Sequence, residues 1–343
     1  MSGISSALRA LAMRFRFYRV ASTLAACRVR ATVIAALVVI GCQASFTSAV
    51  ADVFGSGDNA FAIEFVSIGD PGNPPDTTDR PVTDGAVAYE YRIGKYEISE
   101  DMIDKANTLG GLGITHDGRG ANFPATSISW FEAAQFVNWL NESEGHPVAY
   151  KFDDMGTFQL WDEMDAGYDP NNLYRNSRTF YFLPSLDEWH KAAYYDPVAM
   201  TYYDYPTGSD AVPDGIDSVG DTAFDAVFDD GSVNPGPNEL VNVGLLSPYG
   251  VAGQGGNAAE WLEAAIDRSN DFPNEGREFR GGAWNFGPSS MVASNDGVGL
   301  PPSTGLDWLG LRIVSIVPEP STILLVAMSL LSFTSRRTAH RAR

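Results

Sequence analysis

Apolar positions along the chain follow two periods. Ala62 to Gly69 alternates loosely and predicts a strand entering a domain. Ala86 to Glu97, carrying Tyr89, Tyr91, Ile93 and Tyr96, predicts a second strand or hairpin arm. Further on the period becomes helical. Ala133, Phe136, Val137 and Leu140 share one helical face behind Ser129-Trp130-Phe131-Glu132. That tetrapeptide is a capping box, in which the serine hydroxyl and the glutamate carboxylate each satisfy an orphan backbone NH. Ser185-Leu186-Asp187-Glu188 is another, ahead of Trp189, Ala192 and Ala193. Ser99 before Glu100 and Asp101 predicts a shorter helix through Ala106, its acids complementing the helix dipole. From Asp196 to Pro248 the chain is rich in Asp, Gly, Pro and Asn with isolated aromatics. So long a loop region is either functional or held by something other than a sheet. No internal repeat and no second domain is visible, and the class expected is α+β with much irregular structure.

The two ends break this pattern. Arg9, Arg14, Arg16, Arg19, Arg28 and Arg30 precede an apolar run from Ala31 to Ile40, and Ala49-Val50-Ala51 offers small residues for a signal peptidase. The run is short of the roughly 20 residues that span a bilayer, so residues 1–51 are expected to be a signal peptide. Val39-Ile40-Gly41-Cys42 leaves open a lipobox that would lipidate Cys42 instead. At the other end, Val317-Pro318-Glu319-Pro320-Ser321-Thr322 leads into Ile323 to Phe333 and then Arg336, Arg337, Arg341 and Arg343. At about 1.5 Å per residue that run covers roughly 17 Å, too short for a ~30 Å hydrocarbon core, and the arginines favour the cytoplasmic side. This tripartite tail (residues 318–343) resembles a PEP-CTERM sorting signal. The resemblance implies export, transient membrane anchoring and processing by an exosortase; a plain C-terminal anchor is the other reading. Residues 52–317 remain as the domain.

Charge narrows the partners. The formal net charge is -20, which repels nucleic acid and anionic lipid. Both cysteines, Cys27 and Cys42, lie in the leader, so a chain cut after Ala51 has none and depends on its core for stability.

Gly253-Gln254-Gly255-Gly256-Asn257-Ala258 formally matches a dinucleotide fingerprint, but no hydrophobic strand leads into it and no βαβ unit surrounds it. Its glycines instead suit a tight turn before Ala259-Glu260-Trp261. Taken with Phe182-Leu183-Pro184-Ser185-Leu186-Asp187-Glu188-Trp189, Arg280-Gly281-Gly282-Ala283-Trp284 and Leu309-Gly310-Leu311-Arg312, the order resembles the formylglycine-generating, or sulfatase-modifying factor, family. The resemblance covers most of Tyr91 to Val314 and implies a C-type-lectin-like fold with two main helices and small irregular sheets.

It also implies sites. Calcium would be held by the Gly256 and Ala258 carbonyls and the Glu260 carboxylate, although Gly253 stands where the family often places Asn or Asp. The alternative is a glutamate bonded to neighbouring backbone NH groups. A second calcium site would fall at Asp225 and Asp229, beside Asp230; a solvated acidic loop is the other reading. Arg280 and Arg312 are expected to pair with carboxylates, and Trp284 to form core or pocket wall. The family's two catalytic cysteines would stand at Phe286 and Met291. Neither side chain can ligate copper as a thiolate or exchange disulfides, so copper and formylglycine chemistry are not expected. His116, His146 and His190 show no paired spacing, and no Ser-His-Asp order, P-loop or zincin motif appears. The function expected is an exported envelope or matrix module that binds glycan or protein. The alternative is an enzyme of the same fold with a changed, metal-dependent site.

Overall fold

The computed structural model describes residues 50–78, 83–215, 225–231 and 236–318. The expected signal peptide up to residue 49 and the tail from Glu319 lie outside the described residues, as do both cysteines. Everything described belongs to one compact unit that begins at Ala49.

Nine strands build the two main sheets: β1 (Val50–Phe54), β2 (Phe61–Ile68), β3 (Tyr91–Gly94), β4 (Tyr181–Phe182), β5 (Ala259–Ala265), β6 (Arg277–Arg280), β7 (Val298–Leu300), β8 (Leu309–Gly310) and β9 (Val314–Ile316). One sheet is antiparallel in the order β1-β2-β3-β9-β4, and the other runs β7-β6-β5-β8 with β5 and β8 parallel. β1 includes Ala51, paired with Glu64, so the strand extends past the boundary expected at residue 52. The expected arm over 86–97 shortens to β3. The chain before it is tied to the 70–76 loop, with Val87 accepting from the Gly72 NH and donating to Asn73 Oδ1.

Three helices form where the caps predict them: α1 (Glu100–Gly110), α2 (Trp130–Ser143) and α3 (Leu186–Tyr194). Ser99 caps α1, which runs a turn beyond Ala106 and ends at Gly111 in the left-handed region. Both capping boxes are complete. Between Asp196 and Pro248 the described residues hold two-residue strands, at Thr201–Tyr202, Asp214–Gly215 and Asp225–Ala226.

The helix α2 meets β5 through a reciprocal pair of indoles. Trp130 Nε1 donates to the Leu262 carbonyl and Trp261 Nε1 to the Ile128 carbonyl, both at 2.9 Å. Both rings are fully buried, so each polar edge finds a partner as burial demands. Arg277 on β6 is buried beside them without a carboxylate. Its guanidinium lies 3.8 Å from the Tyr174 ring centre and 4.4 Å from that of Trp130, and donates to the Glu275 and Pro273 carbonyls. Desolvation pulls its pKa down to about 10.

Ser129→Ala removes one side of the α2 capping box and leaves the Glu132 NH without its acceptor. It is expected to cost about 1 kcal/mol in urea denaturation. An unchanged midpoint would show that the box contributes nothing.

Candidate functional site

Two glycine-rich phrases are pressed together at the centre of the domain. Gly256 donates its NH to the Gly281 carbonyl at 2.8 Å, and Trp284 donates to the Asn257 carbonyl at 3.0 Å. The contact requires glycine. Gly256 has φ +83° and a Cβ there would lie 2.1 Å from the Val227 carbonyl oxygen; at Gly281, φ +101°, it would lie 2.9 Å from that of Gln254.

Behind this junction Arg312, on the link between β8 and β9, reaches into the core. Its Nε donates to both oxygens of Glu260 at 2.9 Å, and Nη2 donates to Glu260 Oε1 at 2.6 Å. Nη1 donates to the Gly94 carbonyl of β3, and Nη2 also donates to the Ala252 carbonyl. Trp189 Nε1 of α3 completes the set at 2.7 Å from Glu260 Oε2. All three side chains are fully buried. Glu97 stands next to the pair, its Oε2 3.7 Å from Arg312 Nη2 and without a hydrogen bond, its Oε1 accepting from Asn257 Nδ2. Burial pushes the Glu97 carboxyl up to about 7; Arg312 opposes the shift and Glu260 adds to it.

This geometry bears on the calcium expectation at Gly256, Ala258 and Glu260. Calcium requires six to eight oxygens, with carboxylate charge free to face it. Both Glu260 oxygens are taken by a guanidinium and an indole NH, and a full positive charge lies where a dication would be repelled. The donors do not fit the ion. The carboxylate also differs from the alternative expected, since its partners are side chains and not neighbouring backbone NH groups. Of the second expected site, Asp229 and the backbone of Asp225 are described. Asp229 is exposed, accepting from the Gly231 NH with Oδ1 and donating its own NH to the Phe286 carbonyl, while Asp225 begins a two-residue strand and pairs with Asp214. Among the described residues, the acids that do gather are Asp267, Asp271 and Glu275, in an exposed loop. Their four-residue spacing was a signal the sequence reading passed over.

In front of the junction lies a cavity of about 320 Å³. Phe279, Phe286, Trp308, Val298 and Leu300 form its apolar walls, with Gly281 and Gly282 at its base. The Phe286 and Trp308 rings lie 4.8 Å apart and those of Phe279 and Trp308 5.2 Å apart. Arg280 is at the edge but engaged, donating to Glu278 Oε1 at 3.1 Å and to the Asn295 carbonyl. Met291 is not in the cavity. It is fully buried in a satellite cluster with Tyr205, Ala226 and Phe228, and its carbonyl accepts from the Tyr194 hydroxyl. Trp284 packs against Val227, Val243 and Ala252 on the other side of the junction.

A family model, the sulfatase-modifying factor enzyme 1-like domain, matches residues 66–317. The chain belongs to this family. Solved structures of the same shape include Treponema denticola variable protein 1, at 17% identity and TM-score 0.54 over 79% of this chain and 100% of that one. CarF follows at 19% and 0.53, over 75% of this chain and 99% of its own. PvdO from Pseudomonas aeruginosa stands at 14% and 0.51, over 78% and 98%. At such identities the likeness speaks for fold alone. No curated protein matches the chain. Within the sulfatase-modifying factor frame, the cavity is where Phe286 stands, and no cysteine lies among the described residues.

The histidines have separate partners: His116 with Asp104 and Glu100, His146 stacked on Phe180, and buried His190 with Asp76. The sequence reading missed the buried acids Glu97, Glu188 and Glu263. Of these only Glu188 carried a signal, as the capping residue, and it serves a second purpose: its Oε1 accepts from the Tyr89 hydroxyl.

Glu97 makes stability depend on pH. Its folded pKa lies above the ordinary 4.5, so the folded chain holds the proton through the window from about 4.5 to about 7 and loses stability as pH rises across it. Glu97→Gln removes this term. Denaturation at about pH 5 and about pH 8 should show wild type losing ground to the variant at the higher pH. Parallel losses in both proteins would rule the effect out.

Proposed function

We propose that this chain is an exported, non-catalytic member of its family that binds a protein ligand by an apolar side chain. The observation that carries the reading is Phe286, which stands where the resemblance places a catalytic thiol and stacks on Trp308 as a wall of the apolar cavity. A thiolate is the nucleophile and soft ligand of the family's chemistry; a phenyl ring is neither. Met291, at the second thiol position, is closed off in a separate cluster. The walls favour a side chain over a sugar, because the one cation at the edge is already committed to Glu278 and the Asn295 carbonyl. Aromatic walls around a cavity of this size suit an apolar or aromatic anchor of the kind that dominates protein interfaces. Export rests on the leader and the Pro318-Glu319-Pro320 tail, with processing by an exosortase as its consequence. Among the described residues no helix is long and apolar enough to cross a membrane.

The test has two arms. The purified protein, incubated with copper and a cysteine-containing sulfatase peptide, should leave the peptide mass unchanged; conversion to formylglycine would refute the non-catalytic reading. N-acetyl-phenylalaninamide should shift NMR signals of Phe286 and Trp308. Val298, 59% exposed at the mouth, gives the control: Val298→Glu should weaken binding about tenfold or more by placing a charge against an apolar group. Equal binding by the variant, or tighter binding of methyl glucoside, would overturn the assignment.

A further inference from the structure

A second cavity, of about 290 Å³, opens at the start of α3. Its lining is of a different, polar kind and includes Asp84, Asp187, Glu263, Arg268, Asn172 and Asn270, beside Thr83 and Asn171. The polar groups form a nearly closed network. Asn172 donates to Glu263 Oε1 at 2.5 Å and accepts from Asn270 Nδ2 at 3.0 Å. Tyr150 donates its hydroxyl to Glu263 Oε2 at 2.9 Å, and Arg175 lies 3.5 Å from the same oxygen. Arg268 is committed to Asp84, donating through Nη1 at 2.7 Å.

Asp187 is the exception. Its Oδ1 accepts from the Gly85 NH at 2.7 Å, and its Oδ2 has no protein partner among the described residues. It makes no salt bridge there, although it lines a cavity large enough for a small molecule. The groups facing it are Asp84 and Arg268 across the cavity and Glu188 one residue along α3, with Glu263 further in beside Arg175. All three of those carboxylates lie within 4 Å of an arginine, and Asp187, in the first turn of α3, does not.

We infer that this cavity binds a small organic cation, an alkylammonium group of the kind a lysine side chain or a primary amine presents, with Asp187 as the carboxylate that pairs with it. An ammonium offers three donors and no acceptor, and the cavity is rich in oxygens and poor in free donors. Asn171, Thr83 and Asp187 bring side-chain oxygens to the lining, while the amide NH2 groups of Asn172 and Asn270 already donate within the protein. A carboxylate or phosphate ligand would meet Asp187 and Glu263 with like charge. A metal ion is less suited, because no three carboxylates converge here as they do at Asp267, Asp271 and Glu275. Burial raises the Asp187 pKa above the ordinary aspartate range, as expected for a half-buried carboxyl lacking a cation; the Gly85 NH and Arg268 oppose it, and Asp84 and Glu188 add to it. This site shares no wall with the apolar cavity and does not depend on it.

The probe is n-butylamine, with n-butanol as its uncharged counterpart and methyl glucoside as a polyhydroxyl control, each titrated into the purified protein by NMR. Butylamine should shift the side-chain amides of Asn172 and Asn270, and butanol should not. Asp187→Asn keeps the Gly85 bond through its amide oxygen and removes the charge, so it should weaken butylamine at least about tenfold. Should that variant fold poorly, wild-type affinity measured from about pH 8 down to about pH 4 decides the matter. The amine stays charged throughout, and binding should fall as Asp187 takes up its proton. Equal shifts with butanol, preference for methyl glucoside, no binding of butylamine, or an affinity independent of both Asp187 and pH would each overturn the inference.

Discussion

The arginine at position 312 is the interaction on which the architecture converges. It leaves the chain between β8 of one sheet and β9 of the other, and its donors reach β5, β3 and the Ala252 turn. Through Glu260 it also engages Trp189 of α3. A guanidinium buried this deeply is costly to desolvate, and such a pair is weak evidence of net stability. Its importance lies elsewhere: with all three nitrogens engaged, the pair ties β3, β5, the Ala252 turn and α3 to one another. Glu97, lacking a hydrogen bond at one oxygen, shows how little slack the arrangement leaves.

The Gly256 and Gly281 contact, the reciprocal indoles of Trp130 and Trp261 and the Arg312 pair all lie behind the cavity. Phe286 and Trp308 lie ahead of it, and Trp261 meets the cavity wall edge-on through Phe279, with ring centres 6.3 Å apart. Family membership rests on this frame and not on the cavity wall, so it does not by itself fix an activity.

Much of the fold was legible in the sequence. Ser99, Ser129 and Ser185 marked three helix starts because capping is a local interaction, visible within four residues. Strand limits were less so: β3 is shorter than its tyrosine pattern suggests, since the preceding residues are held by the 70–76 loop, which local periodicity does not record. The expected arginine–carboxylate pairing appeared at both Arg280 and Arg312. At Glu260, where calcium was expected, the carboxylate faces an arginine. A carboxylate in a motif offers the same oxygens to an ion or an arginine, and its partner at position 312 is 52 residues away. Asp187 was legible as a helix-start acid, but the empty side of its carboxyl depends on three loops meeting around it.

A double-mutant cycle on Arg312 and Glu260, run by urea denaturation in chelator, tests the central claim. Arg312→Met alone should cost about 3–5 kcal/mol, because it strands Glu260 in the core. Combined with Glu260→Gln, the total should fall well short of the sum of the single losses, with a coupling of about 2 kcal/mol. Losses that add to within about 0.5 kcal/mol would show that the two residues act independently, and would contradict an architecture built on their pairing.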